Sequence, residues 1–415
     1  MLSVVSPSLN FSQKLADSPF TIEWILSHLF EGDSRFITLT EGVKVKNVTA
    51  VDISDGKGFT SKVYKVAIEF DDISEPYCVV LKVPGTESYS EAAGTNENTI
   101  KEEFLAAVHN KECDFYTNFA SHINAPLPKI YKVQHWIIGE QPGAILMESF
   151  FGKAVSASLI AGANIDQVYE VVRQLASIQA YFLSLPVEQW HGKFNIVGDE
   201  SLSGYEITDL YLAKLKEMRP GMFDEGIGVL SKYTMQKKFM RYTLCDVYED
   251  VGLPLGISHG DFNNNNVLWK ANPDGSIFNE LAAIIDWQTV HEGCLTNDLA
   301  WFMAAYMSAN ARRQHEDEVL ETYYDTLVKL LEKEEKEVTF TLDQVKRAYR
   351  ANFVGQSLFT LVCGPFAVFG LQEYDEEELD LCMARAKATM EDALERLKEL
   401  PEEKLLDYLI SSSEI

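Results

Sequence analysis

The sequence has no Cys-x-x-Cys pair. Its six cysteines, at positions 78, 113, 245, 294, 363 and 382, are scattered and join no histidine cluster, which argues against a zinc site and reads as a set of reduced thiols. Positive charge is scarce as well: 36 lysines and arginines stand against 63 aspartates and glutamates, a formal net charge of -27. Long-range repulsion then argues against nucleic acid or an anionic membrane surface as a partner. No run approaches the ~18 uncharged apolar residues of a membrane helix. The start, Met1-Leu2-Ser3-Val4-Val5-Ser6-Pro7, lacks both a basic region and a sustained apolar core, so a cytoplasmic location is the default expectation. Internal repeats, low-complexity tracts and long linkers are missing too. What is present is 415 residues, 46% of them hydrophobic. That suffices for two lobes or domains with their own cores, since single cores rarely grow beyond about 250–300 residues.

The densest chemistry lies in Ser258-His259-Gly260-Asp261-Phe262-Asn263-Asn264-Asn265-Asn266-Val267-Leu268 and, a little downstream, Ile284-Ile285-Asp286-Trp287-Gln288. His259, Asp261 and Asn266 have the spacing H-x-D-x-x-x-x-N. A carboxylate at Asp261 can orient an attacking hydroxyl and accept its proton, while the amide oxygen of Asn266 can ligate magnesium without adding charge. Asp286 closes the apolar run 281–285 and is expected at the end of a buried strand, where a second carboxylate can hold a metal that bridges phosphates. Each piece has a plainer reading, the asparagines as a turn and the aspartate as a helix cap. Their order and context together favour a phosphate-transfer site.

The N-terminal part is read against that expectation. Ile22, Trp24, Ile25, Leu26 and Leu29 suggest a short amphipathic helix packed on the first lobe. Residues 44–51 alternate as a strand, and Tyr64, Val66, Ile68 and Phe70 give a second strand one apolar face. Between them, Gly56-Lys57-Gly58-Phe59-Thr60-Ser61-Lys62-Val63 fits G-x-G-x-x-G-x-V with Ser61 at the third glycine position. Gly56 and Gly58 would let main-chain amides approach nucleotide phosphates, although Asp55-Gly56 is also an ordinary hairpin turn. Lys82 sits inside the apolar strand 77–83. It can neutralise phosphates if a carboxylate holds it extended, or it is a solvent-facing lysine of an edge strand. The helix expected over 98–119 carries Ile100, Phe104 and Val108 at four-residue spacing, and Glu112 continues that stripe. A carboxylate in line with an apolar face needs a partner, so Glu112 is the choice for Lys82, with a solvated position as the alternative. Residues 130–138 and 144–147 read as a hairpin that completes a small antiparallel sheet. The connector to helical sequence falls near 148–152.

Val168, Val171, Val172, Leu175, Ile178 and Phe182 mark a core helix. Further helices are expected over much of 207–250, 341–362 and 376–396, with the charged run 332–337 as a solvated helix end and loop. Asp298 lies at a helix start, where a structural capping role is expected.

Glycine loop, strand lysine, helix glutamate, H-x-D-x-x-x-x-N and strand-end aspartate, in that order, resemble the protein-kinase-like fold. His-Gly-Asp for His-Arg-Asp, Ile-Ile-Asp-Trp-Gln for D-F-G, and no Ala-Pro-Glu motif look like the aminoglycoside phosphotransferase and choline kinase group. Within it, 259–261, 266–269 and 285–288 look closest to the CHK kinase-like (ecdysteroid kinase-like) family, a resemblance covering about residues 40–400. It implies an α+β chain of two lobes: an N-lobe over 1–148, with an N-terminal helical extension and the nucleotide-binding sheet, and a mainly helical C-lobe over 149–415 with the catalytic loop, metal site and acceptor pocket. The implied activity is ATP-dependent, magnesium-assisted phosphorylation of a hydroxyl on a small, steroid-like or xenobiotic molecule. Asp261 would be catalytic, Asn266 and Asp286 would hold the metal, and Gly56, Gly58, Ser61, Lys82, Glu112 and the connector at Glu148 would bind the nucleotide. A choline or ethanolamine kinase is the alternative enzyme, and a pseudokinase binding module, favoured only by the altered glycine loop, is the alternative of another kind. The acceptor and the oligomeric state are not written in the sequence.

Overall fold

The computed structural model describes residues 5–7, 9–54, 60–86, 101–158, 161–196, 205–370 and 376–405. They form two compact units, one of Met1–Ser121 with Leu127–Lys153, the other of His122–Pro126 with Ala154–Ile415.

The first unit is organised by a five-stranded antiparallel sheet. Helices α1 (Ile22–Gly32) and α2 (Ser34–Thr40) precede strands β1 (Val45–Asp52), β2 (Ser61–Phe70) and β3 (Tyr77–Pro84); helix α3 (Glu102–Asn118) follows, then β4 (Ile130–Gln134) and β5 (Ala144–Glu148). The strand order is β1-β2-β3-β5-β4. Local chemistry starts both N-terminal helices: Thr21 Oγ1 accepts the Trp24 N–H, and Asp33 Oδ1 accepts that of Arg35, which satisfies donors a helix start leaves open. Side chains on a strand alternate between faces. Tyr64, Val66, Ile68 and Phe70 of β2, with Val79 and Leu81 of β3, therefore share one face and pack with Ile22, Ile25, Leu26, Leu29 and Phe36 in one buried cluster. Burying each such aliphatic side chain contributes about 1.5–3 kcal/mol, so a charged residue at Ile25 would break the contact of α1 with the sheet. The same alternation sends Lys82 to the opposite face.

The second unit is mainly helical. In chain order it holds β6 (Ala154–Ser156), α4 (Ile165–Ser184), α5 (Tyr205–Met218), α6 (Asp224–Thr234), α7 (Lys237–Arg241), a π-helical turn (Tyr242–Asp246) and α8 (Val247–Val251). Strands β7 (Gly256–Ser258), β8 (Val267–Ala271), β9 (Ile277–Ile284) and β10 (His291–Gly293) come next, and the chain continues through α9 (Asn297–Tyr306), α10 (Ala309–Lys333), α11 (Leu342–Gly370) and α12 (Glu376–Leu397). An Asn164–Gln167 capping box opens α4, and its Val168, Val171, Val172, Leu175, Ile178 and Phe182 are all buried. The acidic run 332–337 is exposed, spanning the end of α10 and the loop beyond it. Two small antiparallel ladders, β6-β8-β9 and β10-β7, hold the loops between these strands. The architecture is α+β, as the kinase-like resemblance implies. Among the described residues, no helix is long and apolar enough to cross a membrane.

Candidate active site

In the first unit the sheet and α3 bring Lys82 and Glu112 together. Lys82 Nζ donates to Glu112 Oε2 at 2.6 Å, the lysine being 6% exposed and the glutamate fully buried. Leu105, Val108, Glu112, Cys113 and Tyr116 are all buried on α3, so helical spacing alone carries the carboxylate inward. The outward alternative for either residue does not hold. Ser61 opens β2, is 5% exposed and pairs with Pro84. Gly56 and Gly58 lie outside the described residues, as does Ile100. Glu148 closes β5 opposite Val79. Its N–H is given to Lys129 O at 2.8 Å, and its carboxylate lies 3.7 Å from Lys153 Nζ.

In the second unit, β7 ends at Ser258 and releases the loop that carries His259, Asp261 and Asn266. The next strand, β8, pairs with β9 through Val267↔Ile284, and the Ile285 N–H donates to Asn266 O at 2.9 Å. That bond carries the ladder one step further, so Asn266 lies beside the residue preceding Asp286. His259 ties the two segments by both ring nitrogens. Nε2 lies 2.9 Å from Ile285 O, a carbonyl that only accepts, so Nε2 carries the proton; Nδ1 then accepts the Asp261 N–H at 3.3 Å. The ring also packs on Trp287, with centroids 4.6 Å apart.

The Asp261 carboxylate is held by two amides. Asn263 Nδ2 donates to Oδ1 at 2.7 Å and Asn266 Nδ2 to Oδ2 at 3.0 Å. With its nitrogen turned to Asp261, Asn266 keeps its carbonyl oxygen on the other side of the amide. Asp286 has φ +66°, a left-handed backbone that few residues other than glycine adopt and that aspartate tolerates better than most. One carboxylate and one amide oxygen are hard donors of the type magnesium takes, and magnesium usually keeps water and phosphate oxygens as its other ligands. These two residues therefore fit a magnesium–nucleotide site. No cluster of three or more histidine, cysteine, aspartate or glutamate side chains suited to a metal occurs among the described residues.

Gly260 stands where the protein-kinase motif has arginine, and the structure gives the reason. Its φ is +83°, and a Cβ there would lie 2.6 Å from Thr289 O and 2.8 Å from His291 Nδ1. Any side chain would push the loop off β10.

Asp298 is the residue whose part the sequence did not reveal. Thr296 holds the N-cap position of α9, and Asp298 turns back toward the loop: Oδ2 accepts the His259 N–H at 2.7 Å and Oδ1 the Gly260 N–H at 3.0 Å. Its role is structural, as a brace on the loop and not as the cap of α9. Burial raises its pKa to about 6, against the lowering effect of those two hydrogen bonds. Tyr306, at the end of α9, adds a second brace by accepting the Asn264 N–H at 3.0 Å. No spacing rule marks either residue, since both act on main-chain groups brought near only by folding.

The family described as "DUF1679: Uncharacterized oxidoreductase dhs-27" matches residues 39–405. The uncharacterized oxidoreductase dhs-27 of Caenorhabditis elegans is 27% identical over 311 residues, 72% of this chain and 37% of that protein, so the chain spans little more than a third of that relative. An uncharacterized kinase-like protein of the same nematode is 24% identical over 371 residues, 84% of this chain and 90% of the other. Among solved structures, choline kinase from Cryptosporidium parvum Iowa II is 13% identical with a TM-score of 0.48, covering 94% of this chain and 99% of that one.

Proposed function

The chain belongs to the DUF1679 family, and we propose that it is an ATP-dependent phosphotransferase that moves a γ-phosphoryl group to a hydroxyl of a small organic acceptor. The observation that carries this reading is the arrangement around Asp261: a carboxylate fixed by two amides, on a loop tied through His259 and the Asn266–Ile285 bond to the segment that bears Asp286. Bound magnesium would supply a positive charge that neutralises phosphate oxygens, with Asn266 Oδ1 and Asp286 as the protein's donors. Lys82, kept extended by Glu112, would neutralise nucleotide phosphates. Ser61, with Gly56 and Gly58, would lie along the nucleotide, and main-chain groups of the connector near Glu148 would hold its base. The Glu148 N–H serves Lys129 O, so that N–H would not be among them.

Asp261 would align the acceptor hydroxyl. The acceptor's oxygen–phosphorus bond forms as the bond between the β–γ bridging oxygen and the γ-phosphorus breaks; the hydroxyl proton goes to Asp261, and ADP leaves. Most of the acceleration in such transfers comes from positioning and charge stabilisation. The acceptor class, a steroid-like or xenobiotic alcohol, rests on the family resemblance. The word oxidoreductase belongs to a relative of which this chain covers 37%, and the dinucleotide fingerprint G-x-G-x-x-G does not occur in this sequence.

The test is Asp261→Asn, which keeps shape and removes charge. Parent and variant are given ATP, magnesium and a panel of alcohols that includes sterols and choline, and nucleotide affinity is measured in parallel. The expected result is affinity retained within about threefold and transfer reduced on the order of a hundredfold or more. A parent that binds nucleotide and transfers to no acceptor would identify a pseudokinase instead.

A further inference from the structure

We infer that Asn263 is a positioning residue for phosphoryl transfer, holding the Asp261 carboxylate in the plane from which it meets the acceptor hydroxyl; this rests on the phosphotransferase reading of the site. Three features of the loop carry it. First, the orientation of the Asn263 amide is fixed by its own oxygen: Oδ1 accepts the Asn265 N–H at 2.8 Å, which leaves Nδ2 to face Asp261. Second, Nδ2 reaches Asp261 Oδ1 at 2.7 Å while Asn266 Nδ2 reaches Oδ2 at 3.0 Å and Asp261 O at 2.9 Å. One donor on each carboxylate oxygen stops rotation about the bond that carries the carboxylate, which a single donor would not do. Third, both donors are neutral. They orient the aspartate without cancelling the charge that attracts the hydroxyl proton.

Two of the four asparagines of the loop then take distinct roles. The amide oxygen of Asn266 would be the magnesium donor, and its nitrogen is the first clamp. Asn263 is the second clamp, locked by a local turn of the kind asparagine forms readily. An aspartate misplaced by a fraction of an ångström loses much of the benefit of alignment, and about 1 Å can cost two orders of magnitude.

Two substitutions separate the clamp from the turn. Asn263→Asp is isosteric and keeps the acceptor for the Asn265 N–H, but it puts a carboxylate oxygen where the donor was. Asn263→Ser keeps a turn-forming oxygen, is neutral, and is too short to reach Asp261. Steady-state kinetics with ATP and any acceptor the parent uses, together with thermal melting, read the result. Both variants should melt near the parent and hold KM for ATP within about twofold, while kcat falls about tenfold or more in Asn263→Ser and further in Asn263→Asp. In an Asp261→Asn background, Asn263→Ser should cost little more, because the group it positions is gone. Retention of kcat within twofold by both variants in a parent that transfers phosphate overturns the clamp alone. Loss of kcat only in step with loss of folded protein also overturns it, assigning Asn263 to the turn. A parent that transfers to no acceptor overturns the phosphotransferase reading, and the clamp's catalytic role falls with it.

Discussion

Lys82 and Glu112 meet at 2.6 Å with the carboxylate wholly inaccessible to solvent. Removing one member of a buried ion pair leaves the other charged in a poorly hydrated place, at a typical cost of 3–5 kcal/mol. Glu112→Ala should therefore destabilise the protein by that order, and Lys82→Met, which keeps the buried stem and removes the charge, by a similar amount. The double variant should lose less than the sum, because no charge is stranded. Chemical denaturation of the four proteins measures this; strictly additive losses would mean that the two side chains do not act as a pair. In the nucleotide reading, both single variants also weaken ATP use, since Lys82 would no longer be present or held extended.

The brace at Asp298 has a sharper signature. Two main-chain N–H groups, from His259 and Gly260, each take one carboxylate oxygen. Asp298→Asn would set an amide nitrogen against one of those donors, leaving a buried donor unsatisfied at about 1–3 kcal/mol. The loop should loosen and, in the phosphotransferase reading, transfer should fall more than nucleotide affinity. The pH sign is specific. The folded-state value of about 6 lies above the ordinary carboxylate range, so this group favours folding at low pH, and the contribution is lost as pH rises from about 4 through 6. Stability measured across that window should show the term in the parent and lack it in Asp298→Asn. An identical pH dependence in the two proteins would count against a buried titrating Asp298.

These two cases show how much could be read from residues alone. Lys82 and Glu112 are legible because strand alternation and four-residue helical spacing each fix a direction, and both directions point inward. The positions of Asp261 and Asn266 on one loop, and of Asp286 just past a strand end, are legible because a turn has fixed offsets and the apolar run marks where the strand stops. Asp298 is not, since its partners are backbone groups of a loop 38 and 39 residues away, and the same residue type at a helix start is usually a cap. Only the last part of strand β9 is visible, because the polar Asn279 and Glu280, both exposed, break the apolar run. Helix α2 was too short for periodicity to show. The glycine-loop expectation at Gly56 and Gly58 falls on residues outside the described set.

Lys111, next to Glu112 on α3, gives a prediction of the opposite pH sign. It is 8% exposed, and burial lowers its pKa to about 8. The unfolded chain holds this proton up to about 10.4, so between pH 8 and 10.5 the unfolded state binds more protons and stability rises with pH through this group. Below pH 8 the charged amine is carried at a cost. Lys111→Met should stabilise the protein at pH 7 by roughly 1–3 kcal/mol and remove the alkaline rise. Urea denaturation at pH 7 and pH 9.5 compares the two; equal slopes in parent and variant would show that the amine is well hydrated.

The last prediction concerns Asp286, where the backbone and the proposed metal role make separable demands. With φ at +66°, this position holds a conformation that alanine adopts at a cost of about 1–2 kcal/mol, whereas asparagine and glycine enter it more readily. Asp286→Ala therefore confounds strain with loss of a donor. Asp286→Asn keeps shape, backbone preference and a neutral oxygen while removing the negative charge, and it should fold as well as the parent. If Asp286 holds magnesium, Asp286→Asn should bind ATP in the presence of chelator about as well as the parent, but lose on the order of tenfold or more of the gain that magnesium gives. Asp286→Ala should lose the same gain and melt lower besides. Titration calorimetry with and without magnesium separates the two effects. A variant that keeps the full magnesium-dependent gain would remove Asp286 from the metal site and leave its left-handed backbone to be explained by the turn into Trp287 alone.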